Sequence, residues 1–364
     1  MSLSAVVVDD SIVFRKVVRD TLEEVGGVRV VDVAGNGNLA VQKIRQHKPD
    51  FVTLDLEMPG LDGLGVLEAL KADNLPTNIL MVSSFTRRGA DSTTKALSLG
   101  AFDFILKPDF DDAKKNKEDL KRQIGQRVKA LSRRNPGSLA AKSPVRKGVA
   151  APASVSKPAP RRGRVSPPEA IVVGISTGGP QALRKMISKL PADLPVPVVI
   201  VQHMPAMFTS SMARDLDGFS ALQVVEAEDR MPIQAGSVYI APGGKQMRIS
   251  GFPGALRAEV TDDPPERSCK PSVDYMFRSA DKVLGPKLLG LIMTGMGDDG
   301  LEGCRLLRKS GATVWAQDEA SSTVYGMPRQ IVDNGLADEV LPLSQISNSI
   351  ARFCHRHVGS RTGV

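Results

Sequence analysis

Short apolar runs alternate with amphipathic stretches in two separate parts of the chain, and this alternation limits the fold more than any other feature. In the first part the runs predicted to be strands are residues 5–8, 28–34, 51–54, 78–82 and 102–106. Stretches with helical spacing, such as 13–24 and 39–46, lie between them. Strands that alternate with helices form parallel sheets covered on both faces. An N-terminal α/β domain of the (βα)5 type is therefore predicted.

The second part begins near Ala170 and repeats the alternation. Its predicted strands are residues 171–175, 198–202, 238–241, 288–293 and 313–316, and its predicted helices are 181–190, 272–284, 301–310 and 344–353. Residues 247–250 and 256–260, separated by a stretch with glycine and proline, predict a hairpin. This pattern indicates a doubly wound, mainly parallel α/β domain.

The segment between the two parts is rich in proline, alanine, serine and basic residues. Residues 112–134 still carry apolar residues at helical spacing, which predicts a last helix for the first domain. From 135 to 168 almost no large apolar residue remains, so we expect a mobile tether that is too polar to fold. The expected domain limits are 1–124 for the first domain, 125–167 for the basic Pro/Ala-rich linker and 168–358 for the second domain.

The net charge of +8 comes from this connecting segment. Residues 112–168 contain 16 of the 48 Lys and Arg residues but only 3 of the 40 Asp and Glu residues. Neither predicted domain is basic overall, so we expect no nucleic-acid partner. The tether could contact anionic lipids, but a solvated tether is the simpler interpretation.

The sequence contains no apolar run of the ~18 residues that span a bilayer. We therefore expect a cytoplasmic protein that is not itself a membrane protein.

Acidic and basic side chains follow the predicted strands of the first domain. Asp9 and Asp10 follow the first strand, Asp55 the third and Lys107 the fifth, while Ser83 ends the fourth. The carboxyl ends of parallel strands meet at one edge of a sheet, where ligands bind. Three clustered carboxylates favour a hard divalent cation such as Mg²⁺. Solvated turn residues are the alternative, but it does not account for the whole set.

The segments VVVDDS, LDLEMPGLDG, MVSS and FDFILKPD resemble the signatures of response-regulator receiver domains. The resemblance implies that Asp55 is the phosphoryl acceptor. It also implies a Mg²⁺ site made of Asp10, Asp55 and the carbonyl of Glu57, which Asp9 supports. The residues that would sense the phosphoryl group are Ser83, Lys107 and the aromatic switch residue Phe104.

The second domain contains a glycine-rich turn, Gly-Ile-Ser-Thr-Gly-Gly-Pro, at residues 174–180. It follows a predicted strand and opens a helix, whose free N–H groups and dipole suit a nucleophile and an oxyanion. Ser176 is the candidate nucleophile. The same serine could instead cap the helix, and a phosphate-binding turn is a third interpretation, although neither common phosphate motif is present.

A serine nucleophile needs a base, and a histidine base needs an orienting carboxylate. Of the four histidines, only His203 is predicted at the carboxyl end of a strand in the second domain. A structural role is the alternative for this histidine. The glycine-rich segment at residues 294–300 supplies Asp298 and Asp299, and spacing alone does not choose between them. A helix-capping aspartate in a turn is the alternative here.

Together GISTGGP, QHMP and TGMGDDG resemble the catalytic domain of the chemotaxis protein-glutamate methylesterases, the CheB family. The resemblance continues through VYIAPGGKQM, VDYMF, AQDEAS and YGMPR. The resemblance implies that Ser176 occupies the position of the nucleophile and His203 that of the base. The family pattern GMGxDG places the acid of the triad at Asp299.

This resemblance implies hydrolysis of glutamate methyl esters, and deamidation of glutamines, on the helical cytoplasmic domains of methyl-accepting chemotaxis receptors. No cofactor is expected for the hydrolysis, whereas Mg²⁺ serves the receiver. A chemotaxis histidine kinase is the expected phosphodonor, and the unphosphorylated receiver is expected to restrain the hydrolase. Backbone N–H groups near Thr177 and Met296 are expected to bind the oxyanion. A DNA-binding response regulator and a catalytically silent scaffold are the alternatives.

Overall fold

The computed structural model describes residues 2–75, 77–108, 112–134 and 168–355. The chain divides into two compact units, and the division falls within the segment 135–167. Most of the expected linker therefore lies outside the described residues. In the part that is described, no helix is long and apolar enough to span a membrane.

The N-terminal unit is a five-stranded parallel sheet with the strand order β2-β1-β3-β4-β5. Its strands are β1 (Leu3–Val8), β2 (Val28–Ala34), β3 (Phe51–Asp55), β4 (Asn78–Ser83) and β5 (Asp103–Leu106). Its helices are α1 (Ile12–Val25), α2 (Gly37–His47), α3 (Gly63–Ala72), α4 (Arg87–Leu99) and α5 (Ala113–Arg134). The (βα)5 architecture predicted from the sequence is confirmed.

Polar side chains at the helix N-termini explain where four of these helices begin. Ser11, Asn36, Asp62 and Thr86 each accept a hydrogen bond from a backbone N–H in the first turn of the helix that follows. Each bond satisfies one of the donors that a helix leaves unpaired at its start. These caps terminate the loops at the carboxyl edge of the sheet, where the acidic residues lie.

Helix α5 extends past the domain limit expected at residue 124. Its residues Leu120, Ile124, Val128 and Leu131 are buried, and the helix packs against α1. Because this apolar stripe continues at helical spacing, the segment 125–134 is helix and not linker. The expectation of a Pro/Ala-rich linker starting at 125 is corrected accordingly, whereas the helix predicted over 112–134 is confirmed.

The C-terminal unit is built on a seven-stranded parallel sheet with the order β15-β14-β13-β6-β7-β10-β8. Its strands are β6 (Ala170–Ile175), β7 (Val198–Gln202), β8 (Gln223–Glu226), β10 (Ser237–Ile240), β13 (Leu288–Ile292), β14 (Thr313–Gln317) and β15 (Glu339–Leu341). Its helices are α6 (Gly179–Ile187), α7 (Phe208–Asp217), α8 (Val273–Leu284), α9 (Leu301–Ser310), α10 (Met327–Asp333) and α11 (Leu343–His355).

A small antiparallel sheet accompanies this large sheet. It contains β9 (Pro232–Ile233), β11 (Gln246–Phe252) and β12 (Ala255–Thr261), in the order β11-β12-β9. The hairpin predicted from the sequence is therefore confirmed. Helix α8 packs on β11, so the hairpin covers one side of the helix that begins at the candidate active site.

The direction of chain progression reverses at β6. The strands β7 and β10 follow on one side of β6, whereas β13, β14 and β15 follow on the other. Such a switch point leaves a crevice at the carboxyl ends of the central strands, and ligands bind there in open α/β sheets. The loops that follow β6, β7 and β13 border this crevice.

Candidate active site

The three candidate catalytic residues lie on these three loops. Ser176 follows β6 directly, His203 follows β7, and Asp299 lies in the loop after β13. The backbone N–H of His203 donates to the carbonyl of Ile175 at 3.1 Å, which ties the end of β7 to the residue before Ser176. The fold therefore brings the loop that carries Ser176 next to the loop that carries His203.

The turn that carries Ser176 needs glycine for steric reasons. Gly178 has φ +77°, a conformation that costs little only for glycine. A Cβ on Gly179 would lie 1.8 Å from the Gln202 side-chain oxygen, and a Cβ on Gly295 would lie 2.9 Å from the Cβ of Ser176. The backbone at Gly295 thus approaches Ser176, and the backbone at Gly179 approaches Gln202, more closely than a side chain would permit.

Gln202, which the sequence analysis did not single out, fixes the two loops relative to each other. It is 2% exposed, and its side-chain amide donates to the carbonyl of Ser176 at 3.0 Å and to that of His203 at 3.2 Å. One buried side chain therefore holds the backbone of both candidate residues. Its position directly before His203, at the end of a buried strand, is the only sequence signal for this role.

His203 and Asp299 form a hydrogen-bonded pair. The imidazole Nε2–H of His203 donates to Oδ2 of Asp299 at 2.8 Å. Burial alone would lower the pKa of His203, but the hydrogen bond to Asp299 and the contact with Cys269 outweigh it and raise this pKa to about 9. Asp299 stabilises the imidazolium form, as the carboxylate of a catalytic triad does.

Asp299 is held at the N-terminus of α8. Its carboxylate is 4% exposed and accepts hydrogen bonds from the Ser272 hydroxyl at 3.0 Å, the Val273 N–H at 2.7 Å and the Asp274 N–H at 2.9 Å. Burial raises the pKa of Asp299, but the hydrogen bonds from His203 and from these N–H groups prevail and lower it. The carboxylate is thus kept ionised and fixed in orientation.

The neighbouring acid, Asp298, turns away from His203. It is half exposed and forms an ion pair with the Arg267 guanidinium, which also lies 3.3 Å from a carboxylate oxygen of Asp274. Between the two acids that the sequence left open, the geometry therefore favours Asp299 as the partner of the imidazole. Arg267 was not a sequence-based candidate, because a lone arginine in a loop carries no signal.

The Ser176 hydroxyl has no hydrogen bond to His203 in the described part of the chain. The second ring nitrogen of His203, Nδ1, instead faces the Cys269 thiol, with 3.9 Å between N and S. No sequence pattern pointed to this cysteine. Donor atoms of His203, Cys269 and Asp299 lie within 4.8 Å of one another, but both oxygens of Asp299 already accept hydrogen bonds. The missing Ser176–His203 hydrogen bond is compatible with a catalytic role, because catalytic hydrogen bonds in ligand-free enzymes are often long and shorten only with substrate.

Two backbone N–H groups near Ser176 are free to donate hydrogen bonds to an anion. Among the described residues, neither Thr177 nor Met296 uses its N–H in a hydrogen bond. The carbonyl of Thr177 accepts a bond from the buried Thr294 hydroxyl at 2.9 Å, which fixes this peptide. Gly295, directly before Met296, packs against the Cβ of Ser176. Both predicted oxyanion donors therefore belong to loops that contact the serine.

A second cluster lies at the carboxyl edge of the N-terminal sheet. Carboxylate oxygens of Asp9, Asp10 and Asp55 lie within 4.8 Å of one another. Lys107 Nζ contacts Asp55 at 2.8 Å and Asp9 at 3.1 Å. The sequence prediction that these four side chains converge agrees with this geometry.

The charge balance of this cluster leaves room for a cation. Burial raises the pKa of Asp55 to about 6, although the hydrogen bond from Lys107 acts in the opposite direction. One buried oxygen of Asp9 lies 3.1 Å from the Lys107 ammonium. Three carboxylates against one lysine offer oxygen ligands and an excess of negative charge, which fit a hard divalent ion. Mg²⁺ is an ion of this kind.

The remaining predicted receiver residues lie around this cluster but do not all contact it. The Ser83 hydroxyl donates to the carbonyl of Gly89 at 3.3 Å and accepts from the Thr93 hydroxyl at 2.8 Å, so it faces α4. Phe104 is buried on β5. The Glu57 N–H donates to Asp55 at 3.4 Å, while the Glu57 side chain is exposed. A phosphoryl group on Asp55 would have to draw Ser83 away from α4.

Comparison with known proteins agrees with both halves of the molecule. Residues 171–350 match the CheB methylesterase family, and residues 5–116 match the response regulator receiver domain. The protein-glutamate methylesterase/protein-glutamine glutaminase of Desulfotalea psychrophila is 44% identical over 355 residues, which cover 96% of this chain and 98% of that protein. A protein of Vibrio vulnificus with the same designation, numbered 1, is 42% identical over 95% of this chain and 97% of its own.

Among solved structures, the CheB methylesterase catalytic domain of Thermotoga maritima is similar to this chain, with 37% identity and a TM-score of 0.50. The match covers 51% of this chain and 99% of that domain. The structural similarity thus covers the C-terminal unit. The sequence similarity to the proteins from Desulfotalea and Vibrio covers nearly the full length of this chain. The chain belongs to the CheB family of methylesterases, with a response-regulator receiver domain at its N-terminus.

Proposed function

We propose that this protein removes methyl groups from esterified glutamates of chemotaxis receptors, and deamidates receptor glutamines, by a Ser-His-Asp mechanism under control of its receiver domain. The observation that carries the proposal is the His203–Asp299 hydrogen bond of 2.8 Å, placed at the same switch point of the sheet as Ser176. The names of the full-length relatives, which describe a methylesterase and a glutaminase, supply the substrate class.

The two ring nitrogens of His203 have different roles in the mechanism. Nε2–H is held by Asp299, so Nδ1 is the nitrogen that takes the proton of Ser176. Oγ of Ser176 then attacks the ester carbonyl, and the N–H groups of Thr177 and Met296 bind the oxyanion. The imidazolium gives its proton to the departing group, which leaves as methanol from an ester or as ammonia from an amide. Water, activated by His203, then releases glutamate and restores the serine.

Release of methanol from receptors that carry labelled methyl esters tests this proposal directly. Wild-type protein is expected to liberate labelled methanol, whereas the Ser176→Ala variant is not.

Hydrolysis of a chromogenic acetate ester, compared with a salt-dependent DNA-binding assay, distinguishes the proposal from a DNA-binding regulator. DNA binding without ester hydrolysis would reject the esterase. A serine-reactive probe that fails to label Ser176 would point to a silent scaffold.

The pH dependence of the esterase follows from the raised pKa of His203. The base acts only in its neutral form, and the pKa of about 9 keeps most of the imidazole protonated at pH 7. We therefore expect kcat/KM to rise roughly tenfold per pH unit below that value and to level off above it. Initial rates on a chromogenic acetate ester between pH 6 and 10 measure this, after subtraction of the Ser176→Ala blank. A plateau already reached at pH 7 contradicts the assignment.

Receiver control is the second part of the proposal. Asp55 accepts the phosphoryl group from a chemotaxis histidine kinase. Asp10, Asp55 and the carbonyl of Glu57, supported by Asp9, would hold the Mg²⁺ that this transfer requires. The ion would offset the charge of the incoming phosphoryl group and the carboxylates. Lys107, which already contacts Asp55, then pairs with a phosphoryl oxygen. Ser83 leaves its contacts with α4, and Phe104 repacks beside it.

Beryllofluoride with Mg²⁺, a mimic of the phosphoryl group, is expected to raise the rate of ester hydrolysis. Coupling between two sites is commonly worth 1–3 kcal/mol, so an increase on the order of tenfold is expected. The Asp55→Asn variant serves as control, because it lacks the acceptor carboxylate and should not respond. Equal rates with and without saturating mimic in the wild type would end the idea of receiver control.

A further inference from the structure

A groove of about 490 Å³ lies between β11 and α8, outside the catalytic loops. Its apolar floor includes Ile249 and Val283, and its polar wall is formed by Arg248, Tyr275, Arg278 and Lys282. None of the residues that line the groove is acidic. Three cationic side chains thus face one concave surface.

The cations of the groove are only partly neutralised. The guanidinium groups of Arg248 and Arg278 each lie 5.8 Å from the ring centroid of Tyr275. Arg278 pairs with Glu266, whereas Arg248 reaches Glu259 only at 3.4 Å. The Nε of Arg248 is buried and has no hydrogen-bond partner within the described residues. A buried donor without a partner is destabilising, and an anionic ligand would satisfy it.

Lys282 adds a third charge that is fully available. It is exposed and forms no ion pair within the described residues. Like charges gathered on one surface repel each other, so such a surface favours an anion that bridges them. The carboxylates of Glu259 and Glu266 are engaged at the edge and do not line the groove.

The groove is connected to the active site through α8. The first residues of this helix donate hydrogen bonds to Asp299, and Tyr275 follows within the same turn. Arg278 and Lys282 lie one and two turns further along. At 1.5 Å per residue, Lys282 is roughly 13 Å from the start of the helix. A helical substrate that extends from the active site along α8 would therefore place side chains two or three turns away at the groove.

We propose that this groove binds glutamate carboxylates that flank the ester on the substrate helix. The inference rests on the proposed function, because that function makes the substrate a helix whose hydrolysed sites are themselves glutamates. The carboxylates would pair with Arg248, Arg278 and Lys282. Exposed pairs are individually weak, so the groove contributes binding and orientation of an acidic protein substrate, and not chemistry.

The Lys282→Glu variant tests the proposal, with Lys309→Glu as matched control. Both lysines are exposed and lie in the last turn of a helix of the same domain, so the two changes disturb their helices alike. Lys282→Glu is expected to raise KM for receptor demethylation roughly fivefold at low salt. Its hydrolysis of a chromogenic acetate ester should equal that of the Lys309→Glu variant. Equal KM values for the receptor in the two variants overturn the proposal.

A binding measurement separates failure of this inference from failure of the proposed function. Fluorescence anisotropy of a labelled, glutamate-rich helical peptide reports binding without turnover. Wild-type protein is expected to bind the peptide more tightly at low salt than at high salt, and Arg248→Gln and Lys282→Glu should each weaken the binding. Peptide binding without methanol release refutes the proposed function alone. Methanol release with peptide binding that is identical in Lys282→Glu and Lys309→Glu refutes the groove alone.

Discussion

Replacement of Ser176 by alanine is expected to abolish demethylation, with a fall in kcat of roughly 10⁶-fold, as when the nucleophile of another serine hydrolase is removed. The change deletes one oxygen atom that has no hydrogen bond to His203. The fold should therefore be unaffected, and the loss of rate reports chemistry. The measurement is release of labelled methanol from methylated receptors, under single-turnover conditions if necessary.

A neighbouring hydroxyl provides the control for this experiment. Thr177 has a side chain of the same chemical type, and only its backbone N–H and carbonyl enter the mechanism. The Thr177→Val variant should keep most of the activity. If Ser176→Ala retains more than a few per cent of the wild-type rate, or if Thr177→Val loses all of it, Ser176 is not the nucleophile.

Replacement of Asp299 by asparagine is expected to lower kcat by roughly 10⁴-fold, the effect of the corresponding change in a well-studied triad. Both carboxylate oxygens accept hydrogen bonds. One accepts from His203 and Val273, and the other accepts from Ser272 and Asp274. The asparagine side chain has only one oxygen, so its NH₂ group must face one of these two pairs of hydrogen-bond donors. His203 then loses either its orientation or its preferred protonation state.

The Asp298→Asn variant is the matched control, since it makes the same chemical change one residue away. Asp298 is half exposed and pairs with Arg267, so its loss should change the rate by less than about tenfold, in line with the small value of exposed ion pairs. The melting temperature of each variant shows whether the folds are comparable. Near-normal activity of Asp299→Asn together with loss in Asp298→Asn would reverse the assignment of the acid.

Two kinds of element were beyond the reach of the sequence pattern. The edge strands β8 and β15 have exposed polar residues, such as Gln223 and Glu339, so they lack the apolar run that marks a buried strand. Helices α7 and α10 were not predicted either, and α10 has only seven residues, too few for an amphipathic period. The central strands were predicted within one or two residues, because strands buried on both faces must be continuously apolar.

Within the candidate site, the sequence could indicate Ser176 and His203, because strand ends and glycine turns have local signatures. It could not choose Asp299 over Asp298 without the family resemblance, since adjacent acids in one loop look alike. Gln202, Cys269 and the missing Ser176–His203 hydrogen bond had no local signal. Each depends on which side chains meet across loops.

The sequence by itself determined the two α/β units, the strand ends that carry the acids of the receiver, and the turns that carry the serine and the histidine. These follow from local rules of periodicity and backbone sterics. Only the tertiary structure decided the contacts: the order of strands that places Ser176, His203 and Asp299 at one switch point, the pairing of the imidazole with Asp299, and the cations that gather beside α8. Such contacts join residues distant in the chain, so their geometry depends on packing of the whole domain and not on any local pattern.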